Sequence, residues 1–242
     1  MRERKIVALF DCHVPFNIPL DPVFEFIADF KPTEIILGGD VHDWTAVSAW
    51  VADQSRALLG GTIGENYAQI RQTVLEPLSK AMPKAKLIYL TGNHEDWLRK
   101  AKEADPNLSG YVELEKNLPE DIQIIPMNQA YKVGPNLVLI HGIYTNYYHA
   151  RKTVEAFHVS TIYGHVHTFQ SHTLVSPIDS SKYYMGQSIG CLSTLNPDFM
   201  KNKPNAWMNG FCYVHLNADG SFHHVPVVIV KGKFYANGRR YK

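Results

Sequence analysis

Five short apolar segments of this chain each end on residues that can bind a metal ion. Each segment is far shorter than the roughly 20 apolar residues that a membrane-spanning helix needs. In an α/β sheet, the carboxyl ends of the strands are where functional sites collect. The five segments are Leu9–Phe10 before Asp11 and His13, Ile35–Leu37 before Asp40, Leu87–Leu90 before Asn93, Val138–Ile140 before His141, and Thr161–Tyr163 before His165 and His167. This pattern indicates a metal-dependent hydrolase rather than scattered polar residues.

Strands and helices alternate up to Gly164. A helix is predicted from Val23, because its apolar residues have helical spacing and Asp21–Pro22 is typical of a helix start. The order strand, helix, strand predicts parallel neighbouring strands. Beyond Gly164 strand-like segments dominate, and Asp219–Gly220 is typical of a hairpin turn. We therefore expect two packed sheets with helices outside, in one domain spanning residues 1–242.

Other segments carry weaker patterns. Helices are expected over Asp43–Val51, over Glu65–Met82 with a disturbance near Pro77, and over Asn107–Asn117. The C-terminus is basic, from Lys231 to Lys242, and is interpreted as a solvated tail, with a nucleic-acid contact as the alternative.

Composition limits the classes of function. Among 242 residues there are 24 Lys and Arg against 23 Asp and Glu, a balance that does not indicate a general nucleic-acid binder. The apolar run after the charged N-terminus is too short for a signal peptide, and no segment predicts a membrane span. The three cysteines have no CxxC spacing, which favours a reducing, cytoplasmic location. The sequence does not determine the oligomeric state.

The residues that end the five segments form a mixed ligand set. Each motif alone could be an ordinary turn, but together they offer three oxygen donors and four imidazoles: Asp11, His13, Asp40, Asn93, His141, His165 and His167. A set without thiolate favours Mn, with Fe, Zn, Ni or Co as alternatives. With one shared carboxylate, these ligands would fill two divalent-metal sites. Two such ions about 3.5–4 Å apart can activate water for displacement at phosphorus.

Several nearby residues are candidates for catalysis or substrate binding. His94 follows a ligand and is expected to face the substrate, with Glu95 or Asp96 orienting its ring. Tyr144 could stack on a base, although packing against the following helix is an alternative. His42 could be a surface residue or a substrate contact.

The ordered set Asp-x-His, Gly-Asp, Gly-Asn-His-Glu, His and Gly-His-x-His resembles the calcineurin-like metallophosphoesterase superfamily, over Asp11 to His167. The resemblance implies a four-layer αββα sandwich of two mixed sheets flanked by helices. It also implies that Asp11, His13 and His167 bind one metal and that Asp40 bridges to a second, completed by Asn93, His141 and His165. His94 would contact the phosphate and protonate or stabilise the leaving oxygen, while a metal-bridging hydroxide attacks.

One departure from the family affects the expected substrate. The protein phosphatase branch has a phosphate-gripping arginine just after its second motif, whereas Val41–Trp44 contains none, and Arg99 is the nearest basic candidate after the third motif. This favours a phosphodiesterase or nuclease acting on DNA, RNA or a nucleotide. The alternatives are a phosphomonoesterase acting on a small molecule or a phosphoprotein, and a metal-binding structural or regulatory protein without catalysis.

Overall fold

The computed structural model describes residues 3–48, 59–179, 181–197 and 200–242. Its strands, in chain order, are β1 (Arg4–Leu9), β2 (Glu34–Leu37), β3 (Lys86–Leu90), β4 (Gln123–Ile125), β5 (Tyr131–Gly134), β6 (Leu137–Ile140), β7 (Ser160–Tyr163), β8 (Phe169–Val175), β9 (Tyr183–Ile189), β10 (Gly210–Leu216), β11 (Phe222–Val228), β12 (Phe234–Ala236) and β13 (Arg239–Tyr241). Its helices are α1 (Asp21–Phe30), α2 (Ile63–Ile70), α3 (Glu76–Ala81), α4 (Asn93–Ala104), α5 (Leu114–Asn117) and α6 (His149–Phe157).

The strands form two large mixed sheets. One has the order β11-β10-β1-β2-β3-β4, and the other has the order β5-β6-β7-β9-β8. Strands β1 to β4 are parallel to their neighbours in sequence, whereas β10 and β11 are antiparallel. In the second sheet β6, β7 and β9 are parallel, with β5 and β8 antiparallel at the edges. The parallel strands of each sheet therefore end together, which brings the motifs that follow them to a common edge.

Strand β1 shows how the layers are packed. Its residues alternate between two hydrophobic clusters, with Val7 and Leu9 on the side of α1, and Ile6 and Ala8 on the other side. The second cluster also contains residues of the other sheet, such as Leu139 of β6. The two sheets therefore face each other across one core, and the larger sheet is covered by helices on its opposite face.

Helix α6 covers the outer face of the second sheet. The contact is close at Gly186 of β9, where a Cβ atom would lie 2.4 Å from the carbonyl oxygen of Ala150. Helices thus flank both sheets, and the expected αββα sandwich of two mixed sheets is confirmed. No helix among the described residues has the length and apolar character needed to span a bilayer.

The long helix predicted over Glu65–Met82 is interrupted as the sequence indicates. It begins after Thr62, whose side chain forms a capping box with Glu65. Residues Arg71–Leu75 form a π-helical turn between α2 and α3. Pro77 has no N–H to bond the carbonyl group four residues earlier and its ring crowds that group, which explains a distorted turn at this point.

Two predicted helices differ from the structure. Asn107–Asn117 is not continuous: residues Pro106–Leu108 form a 3₁₀ turn, and α5 begins only at Leu114. Gly110, which separates them, has a φ of +93°, which a continuous helix does not allow. Of the segment Asp43–Val51, residues Thr45–Val47 form a 3₁₀ turn, and residues 49–51 lie outside the described residues.

The basic C-terminus is not a solvated tail. Strands β12 and β13 pair as a hairpin, and Tyr241 is only 1% exposed. The Tyr241 ring packs edge-on against Phe26 of α1 with centroids 5.5 Å apart. Arg239 forms ion pairs with Glu25 and Asp29 of the same helix. The hairpin therefore packs against α1, in the layer that covers the outer face of the larger sheet.

Candidate metal centre

The five motifs converge at one end of the sandwich. Strands β1, β2 and β3 of the larger sheet and β6 and β7 of the second sheet all end there. Five of the predicted ligands line a cavity of about 470 Å³: His13, Asp40, Asn93, His165 and His167. The structure thus brings together all seven predicted ligands, which form two clusters joined by Asp40.

The first cluster contains Asp11, His13 and His167. The Nε2 atoms of the two imidazoles lie 3.1 Å apart, and Nε2 of His167 lies 3.5 Å from Oδ1 of Asp11. Oδ1 of Asp11 is buried without a hydrogen-bond partner among the described residues, while Oδ2 accepts the backbone N–H of His165 at 2.8 Å. A buried carboxylate oxygen with no donor, facing two imidazole nitrogens, fits a cation.

The second cluster contains Asp40, His141 and His165, with Asn93 beside them. Nε2 of His141 lies 3.1 Å from Oδ1 of Asn93 and 3.3 Å from Oδ2 of Asp40. The other ring nitrogen of His141 lies 2.9 Å from the carbonyl oxygen of Gly38, to which its N–H can donate. That hydrogen bond turns Nε2 toward the cluster, where it can offer a lone pair to a metal once its proton is displaced, the arrangement expected of a ligating histidine.

Asp40 lies between the two clusters. Its Oδ1 accepts the backbone N–H of His94 at 2.9 Å, whereas its Oδ2 lies 3.3 Å from His141 and 3.9 Å from His13. The turn around Asp40 is tight, because a Cβ atom on Gly92 would lie 2.1 Å from Oδ1. Asp40 therefore stands where a carboxylate shared by two metal ions would have to be.

The backbone of the ligand-bearing turns is strained. Asp11, His13, Asp40, His165 and His167 all have positive φ values, between 47° and 68°. A non-glycine residue in the left-handed region costs about 1–2 kcal/mol, and such residues cluster at functional sites. Because Asp11 and His13 share this conformation on either side of Cys12, both side chains turn toward the cluster while Cys12 is buried in the core.

Asp40 and His141 stabilise each other's charged forms. Burial opposes the imidazolium of His141, but the negative charge of Asp40 and hydrogen bonds raise its pKa to about 10. Burial likewise opposes the carboxylate of Asp40, yet the positive charges of His141 and His94 hold its pKa well below the usual range. Without a metal the pair is held by a proton, and a divalent cation would replace that proton as the counter-charge.

His94 lines the cavity, and its ring is oriented by Asp43. Nδ1 of His94 lies 2.7 Å from the backbone carbonyl oxygen of Asp43, to which its N–H can donate. Nε2 then points toward the clusters, 3.8 Å from Oδ2 of Asp40. The Trp97 ring packs against the imidazole with centroids 4.0 Å apart. The sequence reasoning expected a carboxylate of Glu95 or Asp96 in the orienting role, but the orienting oxygen belongs to the Asp43 backbone.

Glu95 instead holds the backbone of the neighbouring turns. The side chain is 2% exposed, and it accepts hydrogen bonds from the backbone N–H groups of Asp40, Val41 and Gly92 at 2.8–3.0 Å. The hydroxyl of Tyr89 donates a fourth, at 2.8 Å. Glu95 thus ties the end of β2 to the start of α4, and it acts on the site by positioning Asp40.

The three predicted substrate contacts lie away from the cavity lining. His42 is buried: its Nδ1 accepts the N–H of Trp44, and its Nε2–H donates to Gln69 at 2.8 Å. Burial lowers its pKa to about 4. Arg99 forms ion pairs with Asp96 and Glu103 on the surface of α4. Tyr144 lies under the Lys152 ammonium, 4.6 Å from the ring centroid.

The cavity has an apolar wall that sequence reasoning did not assign. Phe16, Trp97, Pro197 and Trp207 line it together with the polar residues. Phe16 carried a weak signal, since it is an aromatic residue just after the first ligand motif. Trp207 had no local signal, because it lies far along the chain from the nearest motif and reaches the cavity only through the tertiary fold.

Only solved structures of low sequence identity are similar to this chain. No protein-family model and no curated protein matches the chain. Similar solved structures include a double mutant of Vps29 from Entamoeba histolytica, at 13% identity and a TM-score of 0.49, which covers 98% of this chain and 97% of that chain. A conserved protein from Streptococcus pneumoniae described as a predicted phosphoesterase is 12% identical with a TM-score of 0.41, over 99% and 97% of the two chains. Vps29 from Chaetomium thermophilum is 12% identical with a TM-score of 0.40, over 91% and 93%.

Motif order, layer architecture and ligand geometry are consistent with one another in this chain. The five motifs occur in the order given above, they follow strands of an αββα sandwich, and their side chains form two adjoining ligand clusters. The order of the motifs resembles that of the calcineurin-like metallophosphoesterase superfamily, and the fold is the αββα sandwich that this resemblance implies.

Proposed function

We propose that this protein is a metal-dependent phosphoesterase that hydrolyses phosphodiester bonds in nucleotides or nucleic acid. The observation that carries the proposal is the pair of ligand clusters around Asp40 with His94 beside them, where His94 also forms a third group of donors with His13 and Asp43. A purely structural metal site would not need a partly exposed histidine facing the cavity. Asp11, His13 and His167 would hold one ion, and Asn93, His141 and His165 a second, with Asp40 shared.

The ligand chemistry supports two divalent cations. Oxygen and imidazole donors suit Mn first, with Fe, Zn, Ni or Co as alternatives. When bound, such ions would polarise the phosphoryl oxygens and lower the pKa of water. The protein itself contributes a rigid set of donors, because hydrogen bonds from His94 N–H and His165 N–H fix the carboxylates of Asp40 and Asp11.

His94 is proposed to act on the leaving group. Its Nδ1–H is held by the carbonyl oxygen of Asp43, so that a second proton, on Nε2, would face the cavity. A doubly protonated ring can neutralise a phosphoryl oxygen, or transfer the Nε2 proton to the departing oxygen as the ester bond breaks. The neutral ring then keeps its hydrogen bond to Asp43 and stays in place for the next turnover.

The charge of the cavity favours a diester over a monoester. The described residues that line it include no lysine or arginine. A phosphomonoester carries close to two negative charges at neutral pH and needs more counter-charge than a diester, which carries one. Phosphomonoesterase activity is therefore the second candidate.

The three cysteines are free and buried, which supports a reducing, cytoplasmic location.

Hydrolysis of two chromogenic esters tests the proposal. After loading with Mn²⁺, bis-p-nitrophenyl phosphate is expected to be hydrolysed faster than p-nitrophenyl phosphate. Faster turnover of the monoester would instead establish the second candidate. A panel of single-stranded DNA, double-stranded DNA, RNA and cyclic nucleotides then identifies the diester class.

Replacement of His94 tests its role separately from metal binding. His94→Ala is expected to keep both metals and to lower kcat about 100-fold or more, the usual contribution of a general acid. His223→Ala is the matched control, because this histidine is exposed on β11, away from the cavity. Unchanged turnover in His94→Ala would exclude the proposed role, and loss of metal from that variant would make His94 a ligand.

A further inference from the structure

Two residues of the apolar wall, Phe16 and Trp207, carry accessible aromatic rings. Phe16 is 44% exposed, and Trp207 is partly exposed. The Trp207 ring stands against the His167 imidazole, with centroids 4.3 Å apart and planes at 67°. Accessible rings beside a cluster of ligands offer apolar faces to a molecule bound there. Exposed apolar surface is unfavourable in water, and it often marks a binding site.

Hydrogen bonds hold the backbone of both rings to the segments that carry the ligands. The N–H of Phe16 donates to the carbonyl of His13 at 2.7 Å, and the N–H of Thr194 donates to the carbonyl of Phe16 at 2.8 Å. On the other side, the N–H of Met208 donates to the carbonyl of His167 at 2.9 Å. The backbone segments that carry the two rings are therefore fixed relative to the ligand clusters.

The size and charge of the cavity limit what the wall could bind. A volume of about 470 Å³ is in the range of small-molecule sites. A nucleic-acid strand is held mainly through its phosphates by lysine and arginine, and the described lining residues include neither. An apolar wall with a single adjacent phosphate site fits one planar aromatic group attached to one phosphoryl group.

We propose that Phe16 and Trp207 form a binding site for the nucleobase of a mononucleotide unit whose phosphate lies at the metal ligands. This inference rests on the proposed function only in placing a phosphoryl group at the ligand clusters. It selects, within the diesters of the proposed function, small nucleotides over long strands. Stacking on an aromatic side chain tolerates any base, because every base has a π-face.

Binding of two phosphates that differ only in the base tests the proposal. Calorimetric titration of the Mn²⁺-loaded protein compares adenosine 5′-monophosphate with ribose 5-phosphate. Stacking is expected to make the nucleotide bind about 10-fold tighter or more. Phe16→Leu and Trp207→Leu keep apolar bulk but lose the ring, and each is expected to weaken binding of the nucleotide more than binding of ribose 5-phosphate, which reduces the difference several-fold.

The matched control is Tyr147→Leu, which removes an aromatic ring that is 82% exposed and lies outside the cavity lining. Equal affinities for the two phosphates, undetectable binding of the nucleotide, or a difference that survives in both leucine variants would overturn the inference. Discrimination without hydrolysis of bis-p-nitrophenyl phosphate would sustain the inference and refute the proposed function. Hydrolysis of bis-p-nitrophenyl phosphate with equal affinities for the two phosphates would support the proposed function and refute the inference.

Discussion

Glu95→Gln measures how strongly the buried carboxylate supports the metal centre. The substitution keeps the size of the side chain but replaces one accepting oxygen with an NH2 group, which can only donate. Each carboxylate oxygen accepts two hydrogen bonds: one from Asp40 N–H and Gly92 N–H, the other from Val41 N–H and Tyr89 O–H. The amide group must therefore face donors in either orientation.

The less costly orientation places the amide on the side of Tyr89, whose hydroxyl can rotate to accept. The N–H of Val41 is then buried without an acceptor, which costs about 1–3 kcal/mol. Loss of the charge also weakens the other hydrogen bonds. It has an opposite effect as well, because burial and the charge of Asp40 disfavour the ionised Glu95 and raise its pKa, and the substitution removes that unfavourable charge. We expect a net loss of about 2 kcal/mol in the free energy of unfolding, which lowers Tm by about 4–8 °C for a chain of this size.

Two variants bracket this value. Tyr89→Phe removes one donor while Oε1 keeps Val41 N–H, so we expect a loss of about 1 kcal/mol. Glu95→Ala leaves three backbone N–H groups without acceptors, and its loss is expected to be at least twice that of Glu95→Gln. Asp96→Asn is the control, since this carboxylate pairs with Arg99 and Lys100 on the surface of α4 rather than with the turns.

The assay is thermal and denaturant unfolding followed by circular dichroism, with metal affinity measured in parallel. Because Glu95 fixes the turn that carries Asp40, Glu95→Gln is expected to weaken metal binding about 10-fold or more, as loss of an outer-shell partner does. A Glu95→Gln protein within about 0.5 kcal/mol of the parent, or an order in which Tyr89→Phe is the most destabilised, would refute the reasoning.

Further predictions concern the ligands, the thiols and the C-terminal hairpin. Asp40→Ala is expected to lose both metals while Asp11→Ala keeps about one, by elemental analysis; two metals retained in Asp40→Ala would exclude a shared ligand. Burial raises the pKa of Cys191 and Cys212 to about 12, so iodoacetamide at pH 8 should label no cysteine in the folded protein and all three after unfolding; a fast-reacting native thiol would contradict this. Arg239→Ala should cost under about 1 kcal/mol because its ion pairs are exposed, whereas Tyr241→Ala should cost about 3–5 kcal/mol by chemical denaturation; equal effects would show that the hairpin is not packed as described.

Much of the candidate site could be predicted from the sequence because its ligands follow strands. A run of apolar residues followed by Asp, Asn or His predicts both a strand and a polar group at its end, as β1 does before Asp11 and His13. Parallel strands end at the same edge, so the convergence of the motifs follows from the order of elements. The αββα layers could be expected for the same reason, once the motifs resembled a known superfamily.

Roles that depend on long-range contacts could not be read from the sequence. Glu95 lies next to His94 along the chain, yet its partners are the turn at Asp40 and the strand residue Tyr89. The basic residue Arg239 is typical of a solvated tail, but acidic residues of α1 pair with it, and the nearby Tyr241 is buried against Phe26. The local sequence shows which polar groups a residue carries, whereas the tertiary packing decides which residue it pairs with.

The sequence by itself determined which residues could bind metal, because ligand chemistry and strand ends are local properties of the chain. The tertiary structure alone decided which atoms face each other: Asp40 between two clusters, Asp43 rather than Glu95 behind His94, and an aromatic wall formed by Phe16 and Trp207. These arrangements join segments far apart along the chain. They arise from backbone pairing and core packing, which fix positions in space that no short stretch of residues contains.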